Sequence, residues 1–164
     1  APYLVALAQQ GAGDALEVLG GLLMAASLAS FVSGSTWGGL ADRSSARYMT
    51  VAGVLAAASG FAAIGLVSLG WSNGPVFAGC VFALYLAHAG VRVGRKTHLV
   101  DMATEDNRST LVAVSNTLIG AMLLVFAALG ALVAQLHPYA GLAFFSGLAL
   151  LGALLATGLK PVQQ

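Results

Sequence analysis

Charge is what this sequence lacks. Of 164 residues, Lys and Arg supply 7 and Asp and Glu 6, so 8% of the chain is charged, against roughly 25% in a soluble domain. So few ionised side chains cannot cover a water-facing surface. The formal net charge of +1 leaves no electrostatic footprint for nucleic acid. The single cysteine, Cys80, excludes an intrachain disulfide framework and any Cys-based zinc cluster. His98 and Asp101 lack a third ligand at helical spacing, so no metal site is read, and no cofactor is implied. No phosphate-binding glycine loop is present to support ATP hydrolysis. Nor does any apolar segment hold the paired carboxylates or activated nucleophile that an intramembrane enzyme needs, so an enzyme is not expected.

What is there is apolar: 59% of the chain. The charges are clustered, and neutral runs of 24, 44 and 51 residues separate them, over 18–41, 48–91 and 109–159. A membrane-crossing helix needs about 20 apolar residues. The first run holds one span and the others two each. Breaks fall where hairpins turn, at Gly70-Trp71-Ser72-Asn73-Gly74-Pro75 and at Leu136-His137-Pro138-Tyr139, with Trp71 and Tyr139 suited to the headgroup level. The ten-residue alternation of a barrel strand is missing. The expectation is all-α: one polytopic bundle over 1–164 with spans at about 17–40, 48–69, 75–93, 110–135 and 139–159. Thr104, ahead of Glu105 and Asp106, reads as the N-cap of the fourth span.

Threading five spans puts Arg43, Arg47, Arg92, Arg95, Lys96, Arg108 and Lys160 on one side. By the positive-inside rule that side, with the C-terminus, is cytoplasmic. The first eight residues, APYLVALA, are apolar, too short to span, and lack the basic start of a signal peptide. They read as the outer end of a preceding helix, which would make the chain a fragment.

The first span runs into Gly38-Gly39-Leu40-Ala41-Asp42-Arg43-Ser44-Ser45-Ala46-Arg47. This string resembles the cytoplasmic signature loop of the major facilitator superfamily, roughly G-x-L-A-D-R-x-G-R-R. Gly38, Leu40, Ala41, Asp42, Arg43 and Arg47 match; Ser45 stands where the family prefers Gly, and Ala46 replaces the first of the paired basic residues. Gly90 to Thr117 looks like the second long cytoplasmic loop of the same half. The resemblance implies the end of helix seven and helices eight to twelve of a twelve-helix, 6+6 transporter. It implies a conformational latch at Gly38, Asp42, Arg43 and Arg47, and a secondary active transporter that moves a small solute by alternating access across the cell membrane. An N-terminal six-helix half on the same polypeptide is the implied partner, beside the lipid bilayer, and gradient coupling the implied energy source. The alternative is a non-transporting membrane scaffold or assembly partner.

Independently of the family, Asp42 at a helix junction can accept bonds from free helix N–H groups. Arg43 and Arg47 can pair with Glu105, Asp106 or lipid phosphate. Small residues recur at Ala26, Ser30, Gly34 and Gly38, and at Ala52, Ala56 and Gly60. Such stripes serve close packing or a sliding surface between moving bundles. Polar groups at membrane depth are functional candidates by default. Here they are His88 and Arg92, four residues apart on one face, and Asn116 in the fourth span, as cavity or coupling residues; the alternatives are a hydrogen-bonded packing histidine, an arginine snorkelling to the interface and an asparagine joining helices.

Overall fold

The computed structural model describes residues 2–11, 15–41, 45–137 and 139–159. Among these, all regular structure is helical: α1 (Pro2–Gly11), α2 (Ala15–Ala41), α3 (Ser45–Ser68), α4 (Gly74–Met102), α5 (Arg108–Ala134) and α6 (Ala140–Thr157). α2 to α6 are each long and apolar enough to cross a bilayer. The protein is a polytopic membrane helix bundle, as the neutral runs predict.

The hydroxyls show how such sequences tolerate polar atoms. Ser27, Ser30, Ser33, Thr36, Thr50, Ser59, Thr117 and Ser146 each donate to a carbonyl three or four residues earlier. Each O–H is satisfied inside its own helix, which hydrocarbon demands.

α4 is the centre of the bundle. It packs against α2 on one side and α3 on the other, while α3 packs against α6. One core cluster joins Leu4, Leu7 and Ala8 of α1 to Val18 and Leu22 of α2 and to Phe77, Val81, Leu84 and Ala87 of α4. A second, further along, gathers Trp37, Tyr48, Ala52 and Ala89. Here the Trp37 Nε1–H donates to the Leu86 carbonyl at 2.9 Å. The indole lies so flat on α4 that a Cβ at Gly90 would meet it at 2.6 Å.

Gly53 lies against Ala149 and Ala153, and Gly60 against Leu142 and Ser146. α3 and α6 are therefore antiparallel, and the small stripe of the second span is a packing face. The corresponding stripe of α2 is different. Ser30, Gly34 and Gly38 are exposed, and a Cβ at Gly34 or Gly38 would meet nothing within 4 Å. α2 instead turns Val18, Leu22, Ala29 and Trp37 inward, because these bulkier residues fill the groove beside α4.

Two boundaries differ from the sequence reading. α4 runs to Met102, so Arg95, Lys96, His98 and Asp101 are helical beside Arg92 and the loop shrinks to 103–107. Ala87, Gly90, Gly94 and His98 continue one buried face, so the helix keeps its packing stripe beyond the hydrocarbon. Its 29 residues extend ~43 Å, more than the ~30 Å hydrocarbon core. Thr104 is not the N-cap of α5. That helix starts at Arg108 after Asn107, whose Oδ1 accepts from the Thr104 N–H at 2.9 Å, and Glu105 and Asp106 sit in the turn. The other break behaves as read: Gly70 takes φ +83°, Asn73 caps α4 through the Val76 N–H, and Pro75 lies in the first turn.

α5 stands apart. It is the most apolar of the five long helices, yet only Gly130 is buried along it. Its contact with α6 is local: the Phe145 ring lies on Gly130, and Ala134 meets Gly141. The ring also stacks on Tyr3 of α1 at 5.6 Å.

Candidate functional site

Helix directions bring the end of α2, the start of α3, the loop 103–107 and the end of α6 to one end of the bundle. Arg47, Arg95, Lys96 and Arg108 gather there, while Glu17 lies in the first turn of α2 at the other. Asp42 and Arg43 fall outside the described residues. Gly38 and Arg47, which flank them, are exposed, and no ion pair joins Arg47 to Glu105 or Asp106. The junction ties together two helices that hardly touch along their length, since α4 lies between them. A short tie of this kind must feel any change in the separation of α2 and α3.

Two hollows open on the α3–α4–α6 core, and α5 walls only the first of them. One, of about 380 Å³, is bounded by Tyr3, Gly60, Leu84, His88, Ala127 and Phe145, among others. The other, of about 500 Å³, continues along Gly53, Ala56, His88, Ala149, Gly152 and Ala156. His88, Ala56 and Ala149 line both, so the hollows form one crevice with the imidazole at its middle. Apart from Tyr3, His88 is the one titratable side chain on these walls. Among the described residues it has no hydrogen-bond partner. An imidazole so placed can hydrogen-bond or take up a proton within an apolar surround.

The other two membrane-depth candidates lie elsewhere. Arg92 is exposed and lines neither hollow; it follows His88 by one turn but is not beside the crevice. Asn116 borders a separate cleft of about 180 Å³ between α4 and α5, with Arg95, Lys96 and Ser115. That cleft lies at the basic end of the bundle. The structure therefore does not bring His88 and Asn116 together.

Sequence reasoning missed two features that shape the site. Trp37 was not singled out, although an indole N–H inside an apolar helix signals a hydrogen-bonded contact. The ring stack that ties α1, α6 and α5 together at the head of the crevice has no signature in residue spacing. Comparison with known proteins adds no relative: no family model, no curated protein and no solved structure matches the chain.

Proposed function

We propose that the chain is the C-terminal helical part of a secondary active transporter, a permease that moves a small solute across the cell membrane by alternating access. The observation that carries the reading is the open face of α2. Its exposed small residues, Ser30, Gly34 and Gly38, run directly into the junction whose residues, Gly38 to Arg47, resemble the major facilitator signature loop. A stripe without bulky side chains lets a second bundle approach closely and slide. An N-terminal six-helix half of the same polypeptide would close on it, and the two halves would rock about a site in mid-membrane. In this reading Asp42, Arg43 and Arg47 make contacts that break in one state and form in the other, which biases the equilibrium between them. The basic end faces the cytoplasm by the positive-inside rule, and His88 is the proton-coupling candidate.

The test needs no knowledge of the solute. In the complete polypeptide with Cys80 replaced by Ser, a Gly34→Cys thiol is probed with a membrane-impermeant maleimide under opposite proton gradients. Alternating access predicts labelling rates that differ with gradient direction, and Asp42→Asn should shift the balance. Rates that stay constant under both gradients refute transport by rocking and leave a scaffold.

A further inference from the structure

The cleft between α4 and α5 differs from the His88 crevice in what lines it. Arg95 with Leu99, and Lys96 with Val100, come from α4 at four-residue spacing. Val112, Ser115 and Asn116 come from α5 at three- and four-residue spacing. Each set is one face of its helix, so two helix surfaces facing each other build the cleft. Its volume of about 180 Å³ is about six times the ~30 Å³ share of one water, room for a phosphodiester and the carbons beside it.

Depth decides what can reach it. α4 starts at Gly74, next to the exposed Trp71, and α5 returns to that end of the bundle at Ala134. A hydrocarbon core of about 30 Å takes up about 20 residues of helix, which reaches about residue 94 on α4 and about residue 114 on α5. Arg95, Lys96, Ser115 and Asn116 all fall within about two residues of those levels, where hydrocarbon gives way to headgroups.

The polar groups at this level are free of partners. Thr117 donates to the Ala113 carbonyl of its own helix, as many hydroxyls of the bundle do. Ser115 does not, and neither its hydroxyl nor the Asn116 amide has a hydrogen-bond partner among the described residues. Arg95 and Lys96 form no ion pair among them, and the acids at this end, Asp101, Glu105 and Asp106, do not line the cleft. The walls themselves are mostly carbon, and beside the cleft α5 exposes Leu111, Val114 and Leu118. Cationic and hydrogen-bonding groups set on an apolar wall suit an amphiphile, whereas a free oxyanion gains nothing from the wall.

We propose that this cleft holds the headgroup of an anionic phospholipid. Arg95 and Lys96 supply positive charge, and the Ser115 hydroxyl and Asn116 amide donate to the phosphate oxygens. Leu99, Val100 and Val112 carry the glycerol and the first acyl carbons, and one acyl chain continues along the apolar surface of α5. The lipid thereby joins α5 to α4, two helices that touch little by themselves. This inference concerns one contact with the bilayer and does not rest on transport.

The complete polypeptide, in micelles holding equal amounts of phosphatidylglycerol and phosphatidylcholine, provides the test by native mass spectrometry. The wild type should retain phosphatidylglycerol in preference. Arg95→Gln with Lys96→Gln should lower that retention about fivefold for each charge removed. Arg92→Gln with Arg108→Gln removes the same charge from the same end, outside the cleft, and should lower it by less than about twofold because salt screens distant charges. Asn116 is exposed, so Asn116→Leu leaves the fold and the charge intact, yet should cut retention about two- to tenfold through the lost hydrogen bond. Equal retention of the two lipids by the wild type overturns the proposal. So does an equal loss in the two double variants, which means diffuse attraction to the basic end, or an Asn116→Leu protein that retains as much as the wild type. Displacement of the lipid by excess inorganic phosphate, but not by chloride at the same ionic strength, assigns the cleft to a free anion and overturns it as well.

Discussion

Gly90 offers the sharpest test of how this bundle is held together. A Cβ at that position would lie 2.6 and 2.7 Å from Cε2 and Cζ2 of Trp37 and 2.9 Å from the Ala52 Cβ, where carbon atoms prefer about 3.5–4.0 Å. Neither neighbour can swing away. The indole is fixed by its bond to the Leu86 carbonyl and by the edge of the Tyr48 ring at 6.0 Å, and Ala52 is fully buried on α3. α4 must therefore separate from α2 and α3 by several tenths of an ångström. Overpacking of this kind costs about 1–3 kcal/mol, and loss of the indole bond adds about 0.5–1.5 kcal/mol. Replacing Gly by Ala in a helix returns about 1 kcal/mol. Gly90→Ala is thus expected to destabilise by about 1–3 kcal/mol, on the order of a 5–30-fold or larger change in the folded ratio. Gly79→Ala on the same helix meets nothing within 4 Å and should be neutral or slightly stabilising. Reversible unfolding in mixed micelles, followed by Trp37 fluorescence in a Trp71→Phe background, measures both. If Gly90→Ala proves as stable as Gly79→Ala, the account of α4 as a helix clamped through Trp37 is wrong.

Trp37→Phe keeps the ring but removes the bond to Leu86, and by the same unfolding measurement should cost about 0.5–1.5 kcal/mol; a neutral result would mean the bond adds nothing to packing. Phe145→Ala removes the ring that joins Tyr3 to Gly130, so hydrogen exchange should quicken along α5 and stay unchanged in α2. Uniform quickening would contradict the local attachment of α5. If His88 couples protons, His88→Gln should abolish the gradient dependence of labelling at Gly34→Cys without lowering the amount of folded protein, and an unaltered dependence would reduce the imidazole to a packing group.

The spans were legible because hydrocarbon thickness imposes a length on each crossing helix, and the three neutral runs hold five such lengths. The end of α4 was not. Arg95 and Lys96 look like a loop when charge alone is counted, while Ala87, Gly90, Gly94 and His98 carry the helix onward on the opposite side. Small-residue stripes were visible at both α2 and α3, but sequence could not tell which one met a neighbour. That depends on α4 lying between the two helices, a fact of tertiary order. The crevice was invisible for the same reason, since its walls come from α3, α4, α5 and α6 together, and a polar residue such as Asn116 has the same local appearance as His88 although it lies in another cleft.

The pairing of α3 with α6 also sets a schedule for assembly. Gly53 waits for Ala153, which the ribosome adds roughly 100 residues later, about 5–20 s at ordinary rates of synthesis. α2, α3 and α4 can gather as they emerge, but among the described helices the glycine and alanine face of α3 meets its partner only when α6 enters the membrane. A chain stopped within α6 would hold three well-packed helices and one orphaned surface. The arrival of α6 therefore closes the glycine and alanine face of α3 and completes the packed order α2–α4–α3–α6.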